Sequence, residues 1–458
     1  MSGIAELLVN LGYEVTGSDL KRSSVTDRLE RLGIGVHEGH DARQVGEADV
    51  VVFSSAVRPD NPEIVEARRR RIPVIPRAEM LAELMRLQYG IAVAGAHGKT
   101  TTTSMIALML ERGGLDPTAV IGGRLSAFGS NARLGGGDYL VAEADESDRS
   151  FLKLTPAIAV VTNLDHEHLD SYQSFEDLRQ AFADFANKVP FYGVIVACAD
   201  DPELRTLLPK MTRRLVTYGL EWPDADYRGV DVRLGGFGAR CQVTRQVGSD
   251  RPDSPASAVP LGELRLRVPG RHNLLNALAA VAVGEELGLA YEQIAAALEE
   301  FRGAERRFES RGEAHGVLLV DDYGHHPTEI AAVIAAAEAA LGRRIVVAFQ
   351  PHRYTRTRQL IGQFGPALRG AAEIVLTDIY GAGEEPIPGV TVEALAEAIR
   401  ATAGAPVHLV KSLDEVPAEV VRLARPGDVV ITLGAGSIGA LPERILAALR
   451  AGESRAPA

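Results

Sequence analysis

Only two cysteines, Cys198 and Cys241, occur in the 458 residues. They cannot make a Cys-x-x-Cys site or a disulfide framework. No apolar run approaches the roughly 18 residues that a membrane-spanning helix needs. The start, "MSGIAELLVNLGYEV", has neither the basic beginning nor the small-residue cleavage site of a secretory signal. Basic residues are in deficit, leaving a formal net charge of −12, which repels nucleic acid. The one basic run, residues 68–71, lies between an apolar helical stretch and the strand-like "IPVIP", and reads as a solvated helix end. No fixed-period repeat is present. Together these absences point to a cytoplasmic enzyme with neither a nucleic-acid nor a membrane partner.

What is there belongs to a folded protein: 46% apolar and 24% charged residues, the balance of a chain with sizeable cores. The length favours about three domains. The first stretch, residues 1–88, has a helical apolar pattern in "SGIAELLVNLG", then "YEVTGSD" and the apolar run "DVVVFSSAV". That is the grammar of βαβ units and predicts a small doubly wound sheet. Its first helix has no strand before it. The second stretch, 89–303, opens on the strand "YGIAVAG" and contains "DYLVAEADESD" and "AIAVVTNLDHEHLD", apolar strands ending in acids. A polar Pro/Ser-rich segment near residue 250 reads as a hairpin excursion. The third stretch, 304–458, repeats an apolar strand, a polar or Gly-rich turn and usually a helix, so it predicts a second α/β sheet. "ESRAPA" reads as a loose tail.

The most specific chemical signal is "VAGAHGKTTTTSM", residues 93–105. The usual phosphate loop is G-x-x-x-x-G-K-[ST], but Val93 holds the place of its first glycine. Gly95 and Gly98 still let backbone N–H groups close on phosphate oxygens, and a helix beginning near Lys99 adds its positive end. Lys99 would reach the β and γ phosphates, with Thr100 placed for Mg²⁺. The loop candidates are Gly95, Ala96, His97, Gly98, Lys99, Thr100 and Thr101. In "AEADESD", Glu143 follows a buried strand directly and suits a hard cation, whereas Asp148 equally suits a helix cap.

Other clusters leave alternatives open. His166 and His168 stand two apart, a spacing that suggests zinc or merely a polar loop. Asn273 and Asn276 open a helix, where asparagine pairs with adenine edges or caps the helix. "DDYGHHPTE" and "QPHRYTRTR" follow buried strands. Their arginines, Arg353, Arg356 and Arg358, suit carboxylate or phosphate, or form a solvated turn.

In order along the chain, "GAHGKTTTT", "EADESDRSFL", "TNLDHEHLDSY", "PGRHNLLNA", "RRFE", "DDYGHHPTE", "QPHRYTRTR" and "GAGSI" resemble the Mur ligases of peptidoglycan synthesis. That family's phosphate loop is itself the short Gly-x-x-Gly-Lys-Thr form. The resemblance implies three α/β domains: a Rossmann-like UDP-binding domain, a central P-loop ATPase-like domain, and a Rossmann-like amino-acid-binding domain. It implies ATP and Mg²⁺, UDP-N-acetylmuramate and L-alanine, and a monomer or weak homodimer. By motif position it implies catalytic roles for Lys99, Asn163, His168 and His325. Thr100, Glu143 and His168 would surround magnesium, and Asn273, Asn276 and Arg307 would join the loop around ATP. Substrate contacts would come from Asp19, Ser54, Ser55, Ser147, Tyr323, His325, His352, Arg353 and Arg356.

The implied chemistry has a clear physical logic. A carboxylate is a poor acyl donor, because its leaving group would be oxide. Taking the γ-phosphoryl group of ATP makes an acyl phosphate, which an amine then attacks with loss of phosphate. The carboxylate and the triphosphate repel each other, so cations must neutralise both. Within the family, "ESDRSFL" and "HHPTEI" look more like the alanine-adding branch than the recycling branch, which joins a whole tripeptide. A non-catalytic UDP-sugar sensor would not need the intact lysine, acids and histidine.

Three departures stand out. Glu167-His168 replaces the family's Asp-His, and Ser437 stands where "GAGD" would place an acid. The family also has a strand and a Gly-x-Gly-Gly turn ahead of the position of "MSGIAELL", so the first sheet is expected to lack its leading strand or to carry a substitute.

Overall fold

The computed structural model describes residues 1–54, 56–125, 130–166, 171–247 and 257–453. The chain divides into two compact units: Met1–Val230 with Gln242–Leu264 and Leu275–Phe301, and Asp231–Cys241 with Arg265–Leu274 and Arg302–Ala458.

The first unit begins with the helix Ser2–Asn10, whose Ile4 and Leu7 are buried. Strands β1 (Thr16–Asp19) and β2 (Gly35–Glu38) pair in parallel, as do β3 (Val51–Phe53) and β4 (Val74–Pro76). The expectation of one doubly wound sheet is corrected here: these are two separate two-stranded sheets. The strands are only three or four residues long, and β1 is polar and mostly exposed. It therefore offers little apolar surface to draw the pairs into one layer.

The main sheet of this unit is built from β5 (Tyr89–Ala94), β6 (Thr118–Leu125), β7 (Ser130–Arg133), β8 (Tyr139–Glu143), β9 (Ile158–Val161), β10 (Val194–Cys198), β11 (Leu215–Gly219), β12 (Tyr227–Gly235), β13 (Gly238–Val247) and β14 (Ser257–Leu266). Its order is β14-β13-β12-β11-β10-β9-β5-β8-β6-β7. β5, β8, β9 and β10 are parallel and almost wholly buried, as continuous apolar runs on a doubly covered sheet should be. The chain leaves β5 toward β6 and β8 on one side and returns to β9 on the other. This reversal makes the carboxyl end of β5 a topological switch point, where open α/β sheets bind ligands. β13 and β14 are neighbours at one edge of this sheet; the polar segment near residue 250, expected to join a hairpin, lies outside the described residues.

The second unit carries β15 (Glu309–Ala314), β16 (Val317–Asp322), β17 (Ile345–Phe349), β18 (Ala371–Leu376), β19 (Val407–Leu409) and β20 (Val429–Leu433), ordered β15-β16-β20-β17-β18-β19. All pairs are parallel except β15 with β16. Strand alternation divides the core between its two faces. Val320, Val347, Ile374 and Ile431 fill one face; Leu319, Val346, Val375 and Val430 fill the other. The carboxyl ends of β16, β17 and β20 adjoin one another in register, with Asp322 and Phe349 both opposite Leu433.

Candidate active site

In the first unit, β5 runs directly into Gly95 and the helix Lys99–Arg112 begins four residues later. Both loop glycines have positive φ, 138° at Gly95 and 83° at Gly98. A Cβ on Gly95 would overlap Thr162 Oγ1, and one on Gly98 would lie 2.6 Å from Asn276 Oδ1. The glycines therefore serve both the turn and the close packing. Asn163 clamps the loop by accepting from His97 N at 2.8 Å and donating to His97 O at 2.9 Å. The His97 ring meets Asp165 at 2.8 Å. The chain thus ties the loop to the end of β9 on three sides, since Thr162 Oγ1 also donates to His97 O.

Lys99 donates to Gly95 O (2.5 Å), Ala96 O (3.1 Å) and Glu146 Oε1 (2.9 Å). Thr100 Oγ1 donates to Glu143 Oε2 at 3.2 Å, while Glu143 Oε1 accepts from Gly122 N. Hydroxyl and carboxylate oxygens side by side at a helix N-terminus are the hard donors that magnesium takes. Thr101 is buried in the first helical turn, behind the loop. Asn276 also reaches the loop helix, accepting from Thr102 Oγ1. Ser147 N donates to Asp145 Oδ1 beyond β8. His166 stacks on Phe175, ring centroids 3.8 Å apart, so its ring has a packing role. His168 and Ser55, both expected at sites, lie outside the described residues.

The second unit gathers its own cluster. Buried Asp322, at the end of β16, accepts from Phe308 N and Gly324 N and so shapes the turn that presents Tyr323 and His325. Burial, opposed by the Arg307 charge, lifts its carboxyl to about 6. The His325 ring lies 5.2 Å from that of His352, which stacks on Tyr380 at 5.6 Å. Arg356 Nη1 is 3.2 Å from His352 Nδ1. Burial first, then His325, Arg356 and Arg353, push His352 down to about 3, so it is neutral at pH 7 and one ring nitrogen is an acceptor. Arg353 is held at φ 68°, its N donating to Tyr380 O, a strained backbone fixed by its neighbours. Arg307 lies over the Tyr323 ring and pairs with Glu329. Arginines and imidazoles grouped beyond the carboxyl ends of β16 and β17 are the donor types that hold a small carboxylate and orient an amine beside it.

The structure groups Tyr323, His325, His352 and Arg356, with Arg353 next to His352 in the chain; Tyr380 and Glu384, which no motif marked, adjoin this group. The Glu384 carboxylate accepts from Thr355 and lies 3.9 Å from Arg353. Asn273 groups with the second unit and donates to Pro269 O at 2.6 Å, whereas Asn276 groups with the first. Asp19 and Ser54 end β1 and follow β3; next to Asp19, Ser18 Oγ meets His40, which meets Glu63 at 3.1 Å. No motif marked His40. Ser437 is exposed and bonds to Gln350.

A glycine-flanked Lys-Thr loop at the switch point of a buried parallel sheet, with an acid at the end of the neighbouring strand, defines the class: a nucleotide-binding α/β enzyme of the P-loop kind. The chain belongs to the Mur ligase family, whose catalytic domain matches residues 1–89, middle domain 93–284 and glutamate ligase domain 306–436. It is 55% identical to the UDP-N-acetylmuramate–L-alanine ligase of Anaeromyxobacter sp. (strain Fw109-5) over 98% of this chain and 96% of that one. It is 52% identical to the enzyme of the same name from Myxococcus xanthus, over 98% and 93%. Among solved structures, a UDP-N-acetylmuramate–alanine ligase from Thermotoga maritima superposes with a TM-score of 0.81 at 30% identity, covering 99% and 97% of the two chains. A murein peptide ligase from Psychrobacter arcticus shares the fold, at 24% identity and a TM-score of 0.69.

Proposed function

We propose that this chain joins L-alanine to the carboxylate of UDP-N-acetylmuramate, with ATP cleaved to ADP and phosphate, in the cytoplasmic synthesis of peptidoglycan precursors. The observation that carries the reaction type is the Lys99–Thr100–Glu143 grouping at the carboxyl ends of β5 and β8. The substrates follow from the names of relatives 52–55% identical over almost the whole chain. The tripeptide-adding alternative rests on likenesses at 24% and 28% identity with TM-scores of 0.69 and 0.59, below the 0.81 of the alanine ligase structure and far below the 52–55% identity of the alanine-ligase relatives.

We assign residues 1–88 to the UDP-sugar, 89–303 to ATP and 304–458 to the amino acid. Thr100, Glu143 and His168 would hold Mg²⁺, whose charge helps neutralise the triphosphate when bound. Lys99 binds the β and γ phosphates, and its ammonium offsets the charge that develops as the γ-phosphoryl group passes to the sugar carboxylate. Gly95 to Thr101 supply N–H groups and the helix end, and Asn276 supports the loop from behind. Arg353 and Arg356 hold the alanine carboxylate, which leaves its amine free to attack the acyl carbon. His352, held neutral, and His325 stand beside that amine, which must lose a proton before or during attack. The test is phosphate release with UDP-N-acetylmuramate, ATP and a panel of amino acids. Release that depends on alanine supports the reading; release that depends on a tripeptide, or on no amine at all, overturns it.

A further inference from the structure

Glu146 lies three residues past the end of β8 and is the most deeply buried acid of "EADESD", with only 2% of its surface exposed. Its backbone is fixed: Tyr172 OH and Arg149 N both donate to Glu146 O, at 2.6 and 3.0 Å. Its carboxylate is therefore not a mobile surface group but a built partner for the loop lysine. An ammonium has three hydrogens. Lys99 donates to two carbonyls of its own loop, Gly95 O and Ala96 O, and to Glu146 Oε1 at 2.9 Å. The carbonyl bonds aim the side chain across the loop. The bond to Glu146 is an ion pair with a buried carboxylate, so an incoming phosphate oxygen competes with that carboxylate for the ammonium.

We propose that Glu146 is a positioning residue that competes with the nucleotide phosphates for the Lys99 ammonium, and so sets how tightly ATP and ADP are held. The inference rests on the phosphate-loop reading of Lys99. The exchange has an electrostatic cost. Once Lys99 turns from Glu146 to a phosphate, a buried carboxylate faces a polyphosphate with less cationic compensation. Asp145, next in the chain, adds like charge, although Arg77 lies 3.8 Å from it and shares that load. Burial, opposed by Lys99 and reinforced by Asp145, already holds the Glu146 carboxyl up at about 7, so its charge is expensive at this position. An enzyme that must discard ADP after every turnover gains from such a competitor, because it keeps a strong phosphate site from retaining its product.

The test uses the full chain, with ADP and magnesium as the probe, in a cycle of E146Q, K99A and the double variant. Glutamine keeps the shape and an oxygen acceptor but removes the charge. E146Q should bind ADP tighter by about three- to tenfold, the size expected for removing one nearby like charge in a partly screened site. Its KM for ATP should fall in step, while its KM for alanine stays put. In the K99A background the tightening should vanish. Unchanged or weaker ADP binding in E146Q, with K99A still weakening ADP, overturns this inference and leaves the loop reading standing. Equal tightening in both backgrounds also overturns it, because the charge would then act on the phosphates directly. Unchanged ADP affinity in K99A overturns the loop reading itself. A wild-type crystal structure with ADP supplies a check independent of any variant's folding: Lys99 Nζ should have left Glu146 for a β-phosphate oxygen. A 2.9 Å pair that persists beside bound ADP counts against the proposal.

Discussion

Lys99 has to be charged, aimed and compensated, and the structure supplies a separate group for each. The helix start sets its origin, two loop carbonyls aim it, and Glu146 compensates it. Lys99→Ala should therefore lower turnover by about a hundredfold or more, by loss of charge stabilisation in phosphoryl transfer. The fold should survive, because Lys99 starts its helix from the loop while the apolar strands β5, β8 and β9 and the buried helix residues form the core. Circular dichroism together with steady-state rates checks both halves, and near-normal kcat in a folded variant would sink the loop assignment. In the other unit, Arg353→Ala should raise the KM for alanine by about 10- to 100-fold, the value of one charge-assisted hydrogen bond, and leave the KM for ATP unchanged. The reverse pattern would interchange the roles of the two units. These lysine and arginine positions were legible in the sequence because spacing along one strand-turn-helix fixes them. Glu384, Tyr380 and the partnering role of Glu146 were not. Each becomes a neighbour only when strands distant in sequence adjoin, and an isolated acid or tyrosine carries no signal of that.

At the scale of elements, strands with continuous apolar runs were readable, and so was the helix start at Lys99. The first sheet was not, because strands of three or four residues leave almost no period to count. The helix Arg271–Glu286 gives an element-level test. His272 in its first turn sits against Gly270, where a Cβ would be 2.5 Å from the ring. Burial, with the Arg307 charge second, lowers its pKa to about 4. The folded state therefore refuses a proton that the unfolded chain accepts near 6.5. The neutral ring's contribution is fully present above that value and is lost as pH falls toward 4. Asp322 shifts the other way, but it is common to wild type and variant and so cancels between them. Urea unfolding at pH 7 and pH 5 should show wild type losing more stability on acidification than His272→Gln. Equal losses would show that His272 is not held neutral by the fold.

At the scale of the whole molecule, the phosphate loop and the histidine–arginine cluster belong to different compact units. Three-domain family matches spread the same way along the chain. Such a division suits a reaction in two chemical stages. In the roles proposed above, the phosphate loop makes a reactive acyl group from a carboxylate and the histidine–arginine cluster binds the amine substrate. The order of bond changes then leaves an isotopic mark. If a sugar carboxylate oxygen attacks the γ-phosphorus, the P–O bond to ADP breaks and that oxygen becomes the bridge of an acyl phosphate. When the alanine amine attacks the acyl carbon, the C–O bond breaks and the same oxygen departs with phosphate. UDP-N-acetylmuramate labelled with ¹⁸O in its carboxylate should therefore give phosphate carrying one ¹⁸O per turnover, read by mass spectrometry or by the isotope shift of the ³¹P signal. Label retained wholly in the amide product and water would mean that phosphate came from hydrolysis unconnected to the carboxylate. In that case the loop would be an ATPase uncoupled from the ligation assigned to it, and the two-stage division would have lost its chemical reason.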